Sequence, residues 1–198
     1  MGFEVVHLGD MLEAFNDEDR CLRVIANFSC KLDEDIEYFL KKKAIINQKM
    51  GLSRTYLVYT SYKQEKVLAG YFALANKSLV IRNQVSGSLR KRITGFKNKE
   101  IKDMPVFLIG QLSKNFSKDY DKIPLITGQQ LLQLAIQKIL QSWYLFGGRI
   151  ILVECLDNPY LRRFYENEGF SFVEKDEKDG LLKYILDIDK INKESYKF

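Results

Sequence analysis

The segment 106–172 constrains the fold most, because apolar runs and helical patterns alternate along it in a fixed order. An apolar run at 106–115 precedes a helical pattern at 126–140, and a second apolar run at 150–156 precedes another helical pattern at 157–169. Short apolar runs bounded by turn residues are typical of buried strands, whereas apolar residues three and four positions apart are typical of helices. The segment is therefore predicted to fold as strand, helix, strand and helix, with a further strand at its end.

The remainder of the chain adds helices and hairpins to this series. One or two short helices are predicted over 10–28 and a longer helix over 33–50. Two runs rich in β-forming residues, joined by K-Q-E-K, predict a hairpin over 55–75, and another hairpin is predicted over 170–188. We therefore expect a single domain, residues 1–198, of the α/β (α+β) class with a mixed sheet.

The cysteine and histidine content argues against several kinds of active site. The three cysteines are widely spaced, and the chain has a single histidine, His7. No C-x-x-C pair is present, so neither a disulfide framework nor a zinc site is predicted. Ser-His-Asp, Cys-His and multi-histidine metal chemistry are not expected, because His7 is far in sequence from every other motif. Cys155 lies in an apolar run and is interpreted as a buried apolar residue.

The N-terminus and the apolar runs indicate the compartment. No window of the sequence has the roughly 18 consecutive apolar residues that a membrane span needs. The first ten residues lack a basic stretch followed by a long apolar stretch, so they are not predicted to be a signal peptide. We therefore expect a cytoplasmic protein with no membrane partner.

The positive charge is concentrated in one segment. Residues 82–102 hold seven basic residues and one acid, Glu100, in a chain of net charge +5. Such a segment is typical either of a phosphate-contacting surface or of a solvated loop or helix face, and the second is more common. We treat residues 82–104 as a basic insert.

The helical pattern at 126–140 begins with a capping box and a glycine. Thr127 is predicted as the N-cap, and Gln130, three residues later, completes the capping box. Gly128 has no side chain, so a phosphate could approach the backbone amides at this helix start. An ordinary capped helix start and an anion site both remain open at this point.

The second helical pattern and the strand before it carry candidates for acid–base chemistry. Asn158 is predicted as the helix N-cap, and Tyr165 lies in an aromatic cluster on the helix. By spacing alone, Tyr165 is interpreted either as a core tyrosine or as an acid. Glu154 shares a strand face with apolar residues. It could serve as a base if it is buried without a partner, and it would be structural if it is hydrogen-bonded.

Beyond these patterns, the chain resembles the GNAT superfamily of N-acetyltransferases. The resemblance is carried by L-I-G-Q-L-S-K-N (108–115), I-T-G-Q-Q-L-L-Q-L-A (126–135) and F-Y-E-N-E-G-F (164–170). Residues 28–40 and 52–58 are further similar to a bacterial branch of this superfamily. The implied structure is the GNAT fold, a mixed, mostly antiparallel, twisted sheet flanked by helices, with a central splay between two parallel strands.

The resemblance implies that the protein transfers an acetyl group from acetyl-CoA to an amine. The pantetheine arm of coenzyme A would pair with the backbone at 111–113, and the pyrophosphate would lie on the amides of 126–130. The amine would attack the thioester directly, while a backbone amide near Leu112 stabilises the oxyanion and Tyr165 acts as general acid. The catalytic residue that the resemblance implies is Tyr165, and Glu154 remains the candidate base that its place on the strand face suggests. The implied cofactor-binding residues are Gln111, Leu112, Ser113, Lys114, Ile126, Thr127, Gly128, Gln129, Gln130, Asn158 and Tyr165.

Two features depart from the pattern of the superfamily. The phosphate loop usually reads Q/R-x-x-G-x-G/A, and the matching positions here are Ile123, Ile126 and Gly128, of which only the last is kept. The strand 106–115 also lacks the carboxylate that many relatives use as a base, so Glu154, a water chain or an already neutral amine would fill this role. These departures leave a second hypothesis open, a non-catalytic GNAT-like module that binds acyl-CoA or a protein partner.

The sequence does not define the acceptor. A small amine, a protein amine and an aminoacyl-tRNA are the acceptors considered. The tRNA is suggested by 82–102 together with Arg162 and Arg163, because some bacterial GNAT toxins acetylate charged tRNA. A second copy of the chain is a further partner considered, and a nucleic-acid-binding protein without a cofactor is the hypothesis with least support.

Overall fold

The computed structural model describes residues 2–117 and 125–193 of the chain. A π-helical turn lies at Phe39–Lys43. The helices are α1 (Leu8–Phe15), α2 (Glu18–Ile25), α3 (Glu34–Tyr38), α4 (Ala44–Met50), α5 (Gly87–Thr94), α6 (Gly128–Phe146) and α7 (Pro159–Asn167). The strands are β1 (Glu4–His7), β2 (Arg54–Tyr62), β3 (Glu65–Val80), β4 (Asp103–Lys114), β5 (Ile150–Cys155), β6 (Ser171–Lys175) and β7 (Leu182–Asp187).

The strands form one sheet in the order β1-β2-β3-β4-β5-β7-β6. β4 and β5 are parallel, and their register runs from Phe107 opposite Ile151 to Ile109 opposite Val153. The pairs β1–β2, β2–β3, β5–β7 and β6–β7 are antiparallel. The predicted mixed, mostly antiparallel sheet is therefore confirmed, and β4 continues to Lys114 beyond its last registered pair with β5.

The chain divides into two compact units. The first unit comprises Met1–Ala75 and Gly110–Ile136, and the second unit comprises Asn76–Ile109 and Gln137–Phe198. β3, β4 and α6 contribute residues to both. The single domain expected from the sequence stays a prediction, and each unit is described by itself.

In the first unit, α1 to α4 and the π turn pack against β1, β2 and β3. The predicted helices are present, but the π turn interrupts the one over 33–50. Just before this turn, the Tyr71 hydroxyl donates to the Ile36 carbonyl, with 2.6 Å between the oxygens. The fully buried residues of the core cluster beneath these helices are Leu8, Cys21, Phe28, Leu40, Ala44, Leu57 and Tyr71.

The first hairpin of the first unit is also as predicted. Tyr62 pairs with Glu65, so only Lys63 and Gln64 form the turn. Both have left-handed backbone angles, with φ of 49° and 67°, as a two-residue turn between twisted strands requires. This turn fixes the register of β2 against β3.

In the second unit, α5 packs against one face of the sheet, so the basic insert is a folded part of this unit. The closing hairpin predicted over 170–188 is present as β6 and β7. The buried apolar residues beneath the insert come from α5, β3, β4, β5 and β7 and from the residue after β3. They are Leu79, Ile81, Ile93, Val106, Ile150, Leu152 and Ile185.

Candidate functional site

The predicted site residues divide between the two units. The segments 111–114 and 126–130, which were assigned to the cofactor, belong to the first unit. Glu154, Asn158 and Tyr165 belong to the second unit. Ile123, the first position of the degenerate phosphate loop, lies outside the described residues.

The first unit brings the two cofactor segments together at Gly70 on β3. A Cβ atom placed on Gly70 would lie 2.6 Å from the backbone oxygen of Ser113 and 3.4 Å from Cδ2 of Leu131. Ser113 belongs to the strand segment and Leu131 to the first turns of α6. The end of β4 and the start of α6 are therefore close neighbours within this unit.

The β4 segment is fixed by buried polar contacts. The Ser113 hydroxyl donates to the Lys114 carbonyl at 2.9 Å and approaches Sγ of Cys30 at 3.4 Å. The side-chain oxygen of Gln111 lies 3.4 Å from the Tyr71 hydroxyl. Since these side chains bond within the protein, it is the backbone of this segment that would be offered to a ligand.

The start of α6 has the predicted capping box. The amide of Gln130 donates to the Thr127 hydroxyl at 3.1 Å, and the amide of Thr127 donates to the Gln130 side-chain oxygen at 2.9 Å. Ile126 is buried beside this turn. The first turn of α6 contains no acidic residue, so nothing in it opposes the attraction of a helix N-terminus for an anion. The capping box is confirmed, and the pyrophosphate site stays a prediction.

Tyr165 is buried on α7 in the second unit. Its ring packs against Phe164, Phe170 and Tyr184, with centroid distances of 5.1, 5.5 and 6.1 Å. Burial raises the pKa of the Tyr165 phenol well above its usual value, and the negative charge that a Cys155 thiolate would carry adds to this shift. The phenol is therefore protonated in neutral solution, which is the form that a general acid needs.

Asn158 begins α7 as predicted. Its side-chain oxygen accepts a hydrogen bond from the amide of Tyr160 at 2.8 Å, and Pro159 occupies the first helical position. The Asn158 side chain thus satisfies one of the free amides at the helix start. Pro159 suits the first helical position because an N–H there would have no partner within the helix. The contact of Asn158 with a cofactor stays a prediction.

Glu154 has a charged partner in the second unit. Its two carboxylate oxygens lie 2.8 and 2.6 Å from Nζ of Lys77, which is on β3. The Glu154 side chain is 14% exposed and that of Lys77 is 42% exposed. The hydrogen-bonded alternative considered for this carboxylate is thus the one observed, and a role as base would require Lys77 to release it.

The arginines of the basic insert bond within the second unit. Arg90 is 1% exposed and donates to the carbonyls of Ile101 and Arg82 at 3.0 and 2.9 Å. Arg82 contacts Glu177 at 2.9 Å, and Arg92 donates to the Ser171 hydroxyl at 2.8 Å. Neither of the two interpretations of this segment, a phosphate-contacting surface or a solvated face, applies to Arg90, because its guanidinium is inside the protein.

The remaining cations of the basic segment are on the surface. Lys91, Lys97, Lys99 and Lys102 are exposed. Of the two arginines on α7 that were grouped with the insert, Arg162 forms an ion pair with Asp157 at 2.5 Å and Arg163 is exposed. The four lysines, here called the insert lysines, are the part of the segment suited to phosphate contact.

Cysteine and metal chemistry receive no support from the described residues. Cys21, Cys30 and Cys155 are free and buried, and burial raises the pKa of the Cys155 thiol to about 11. In residues 2–117 and 125–193, no group of three or more His, Cys, Asp and Glu side chains is arranged to hold a metal ion. Within the same ranges, no helix is long and apolar enough to cross a membrane.

Solved structures share this arrangement of elements, although no protein-family model matches the sequence. A tyrosine-to-phenylalanine mutant of KacT has a TM-score of 0.62 and 20% identity, over 93% of this chain and 95% of that chain. AtaT complexed with acetyl-methionyl-tRNAfMet has a TM-score of 0.63 and 19% identity, over 92% of this chain and 94% of that chain. AtaTR bound with AcCoA has a TM-score of 0.61 and 18% identity, over 92% and 93%. The chain has the GNAT fold.

Three contacts of this chain were not predicted from its sequence. They are the Lys77–Glu154 ion pair, the buried guanidinium of Arg90 and the close approach at Gly70. Lys77 and Glu154 are far apart in sequence, so no local spacing connects them. Gly70 interrupts a strand-forming run, and a glycine inside a strand pattern is a signal of close backbone approach that could have been used.

Proposed function

We propose that the chain is a cytoplasmic, acetyl-CoA-dependent N-acetyltransferase. The observation that carries the proposal is the fold, which the chain shares over 92% of its length with an AtaT-containing structure bound with AcCoA. Fold alone admits other activities, so the proposal also draws on the helix start at Gly128 and on the buried phenol of Tyr165.

The first unit has groups that fit coenzyme A. α6 is 19 residues long, begins at Gly128 and has no acid in its first turn, which suits a pyrophosphate at its N-terminus. The backbone of Gln111, Leu112 and Ser113 would pair with the pantetheine arm. The bonds between Thr127 and Gln130 would compete with the phosphate for the same amides, which would moderate the affinity.

The chemistry follows from the groups that the chain supplies. Acetyl-CoA provides an activated thioester. As the amine nitrogen bonds to the thioester carbon and the carbon–sulfur bond breaks, the Leu112 amide would donate to the carbonyl oxygen. Tyr165 would give its phenolic proton to the departing sulfur. The proton that the amine loses would pass through solvent and reprotonate the Tyr165 phenolate. No bond forms between the acetyl group and the protein.

Glu154 would assist as a base only after a change of partner. Its carboxylate is held by Lys77, so a proton from the acceptor amine could be received once Lys77 moves towards solvent. The exposure of Lys77 makes this exchange feasible. Glu154→Gln would then slow transfer to amines that are protonated in solution more than transfer to amines that are already neutral.

Calorimetric titration with acetyl-CoA tests the cofactor site. We expect micromolar binding by the wild type and at least a tenfold loss in Gly128→Glu, because the added carboxylate would repel a pyrophosphate. An acid suits a helix N-terminus, so folding should survive this change. Gly87→Glu, at the first residue of α5, is the matched control and should bind like the wild type. A folded wild type that does not bind acetyl-CoA would contradict the proposal.

The Tyr165→Phe variant separates the proposal from the non-catalytic alternative. That alternative is favoured by the isoleucines in the phosphate loop and by the ion pair on Glu154. We expect turnover to fall about 100-fold while acetyl-CoA affinity changes less than about twofold, because a general acid acts in the transition state. Tyr160→Phe, an exposed position on the same helix, is the control. Acetyl-CoA binding without transfer to any amine by the wild type would favour the binding module.

We further propose an aminoacyl-tRNA as the acceptor and an antitoxin as a protein partner. Solved structures of similar fold hold AtaT complexed with acetyl-methionyl-tRNAfMet, a mutant AtaT toxin bound to the C-terminus of the antitoxin AtaR, and KacTA in complex with DNA. A small repressor-like gene directly upstream would support the antitoxin. Sedimentation of the purified chain would establish whether a second copy is also a partner.

A further inference from the structure

Gly70 allows three elements of the first unit to meet closely. With any side chain at this position, a Cβ atom would lie 2.6 Å from the Ser113 oxygen and 3.2 Å from Cα of Lys114. Both contacts involve the backbone of β4, which cannot move aside as a flexible side chain would. The same Cβ would also reach 3.4 Å from Leu131 of α6. Any larger residue would therefore push β4 away from β3, at the segment proposed to bind pantetheine.

Asn115 holds the end of the same segment against β3. It is 6% exposed, and its amide donates to the Ala69 carbonyl at 2.8 Å. Its side-chain nitrogen donates to the Leu68 carbonyl at 3.0 Å. One backbone and one side-chain hydrogen bond thus join Asn115 to the two residues of β3 that precede Gly70.

The side-chain oxygen of Asn115 extends this attachment to the loop before α3. It accepts from the amide of Ser29 at 3.1 Å and from the amide of Ser117 at 3.0 Å. In addition, the Phe116 amide donates to the Ser29 carbonyl at 2.8 Å. A buried polar group with several partners holds its neighbours in one arrangement, because losing any of these bonds leaves a buried group unsatisfied.

We propose that Gly70 and Asn115 are positioning residues for the cofactor: together they set the distance between the end of β4 and the start of α6. The inference rests on the proposed function, in which these two segments hold the pantetheine and the pyrophosphate of one acetyl-CoA molecule. A ligand that spans two segments binds well only when their spacing matches its length, as in any linked pair of binding groups. Acetyl-CoA affinity therefore depends on Gly70 and Asn115, although neither residue needs to touch the ligand.

The test compares a ligand that spans both segments with one that reaches only the helix. Calorimetry would measure the affinity of acetyl-CoA and of adenosine 3′,5′-diphosphate, the nucleotide half of coenzyme A. The first variant is Asn115→Asp, which keeps the side-chain oxygen but replaces the donor that faces the Leu68 carbonyl. Its control is Asn98→Asp, the same chemical change on an exposed loop. The second variant is Gly70→Ala, with Gly87→Ala as its control, because a Cβ on Gly87 would meet nothing within 4 Å.

We expect Asn115→Asp and Gly70→Ala to weaken acetyl-CoA about tenfold and to change the nucleotide affinity less than about twofold. The KM for acetyl-CoA should rise more than kcat falls. Equal weakening of both ligands in folded variants, or wild-type affinity for both, would overturn the inference and leave the proposed function standing. A wild type that binds neither ligand would overturn both. If Gly70→Ala does not fold, Asn115→Asp decides the question, and thermal unfolding of each variant shows which case applies.

Discussion

The basic insert and the start of α6 are both suited to anions, but they differ in where the positive charge resides. The insert has seven basic side chains, yet Arg82, Arg90 and Arg92 bond to groups of the second unit. The first turn of α6 has no charged side chain and relies on backbone amides at a helix N-terminus. The basic insert, which is the more cationic of the two in the sequence, therefore has three arginines whose charge stabilises the fold of the second unit.

The number of basic residues in a segment is therefore an upper limit on the positive charge that the segment can offer to a ligand. A guanidinium that donates to carbonyls inside the protein does not contact phosphate, whereas a helix N-terminus needs no cation. If the contrast is correct, changes in the insert arginines alter folding, and changes in the insert lysines alter binding.

The largest effect is expected for Arg90→Met. The side chain is buried, and its loss would remove the guanidinium bonds to the Ile101 and Arg82 carbonyls, of which the Arg82 carbonyl keeps a bond from the Val85 amide. We expect the free energy of unfolding to fall by about 3 kcal/mol, measured by urea denaturation. Lys91→Met, one residue further on an exposed position, should change it by less than about 0.5 kcal/mol. Equal effects of the two variants would remove the distinction between structural and available charge.

An intermediate effect is expected when the four insert lysines are changed to glutamate together. If they contact RNA phosphates, the dependence of RNA affinity on salt should become less steep, because each phosphate contact contributes to that slope. Fluorescence anisotropy of labelled tRNA at several salt concentrations would measure it. Acetyl-CoA affinity should not change, since none of the insert lysines is among the residues assigned to the cofactor. An unaltered salt dependence would exclude these lysines from an RNA surface.

The smallest effect concerns Asp176, an acid in the turn between β6 and β7 whose partner is a lysine outside the insert. The ammonium of Lys183, bonded at 2.6 Å, and the amide of Lys178 lower the pKa of Asp176 from its ordinary 3.8 to about 2. Because the folded pKa is lowered, this contribution to stability is present above pH 3.8 and is lost as the pH falls towards 2. In Asp176→Asn, the urea midpoint should fall less between these pH values than in the wild type. Asp179→Asn, in the same turn, should follow the wild type.

Much of the fold was predictable because its signals are local. The strand, helix, strand and helix order of 106–172 follows from periodicity, and the caps at Thr127 and Asn158 follow from residue type next to a helical pattern. The capping box at Thr127 and Gln130 is present atom for atom. In contrast, no pattern within the sequence 33–50 indicates the π turn at Phe39–Lys43, or the hydrogen bond that the distant Tyr71 hydroxyl donates to Ile36 in the preceding helix.

The site was predicted less completely, because its decisive contacts join residues far apart in the chain. Glu154 could be recognised as unusual on an apolar strand face, but its partner Lys77 could not be identified. Arg90 was counted as surface charge, since arginine is rarely buried. Tyr165 and the cofactor segments were named through resemblance to a superfamily, and their roles stay predictions that the proposed variants would test.

The two ends of the basic insert are joined by a backbone hydrogen bond, which affects how much its length can change. The amide of Ile81 donates to the carbonyl of Lys102 at 2.7 Å, so the insert leaves and rejoins the sheet at neighbouring points. A segment with joined ends adds only a small closure entropy when it is lengthened, since that cost grows with the logarithm of length. The insert can therefore become longer or shorter, or be replaced, during divergence. The replacement must still cover the apolar residues of the sheet beneath it and keep the hydrogen bond between its two ends.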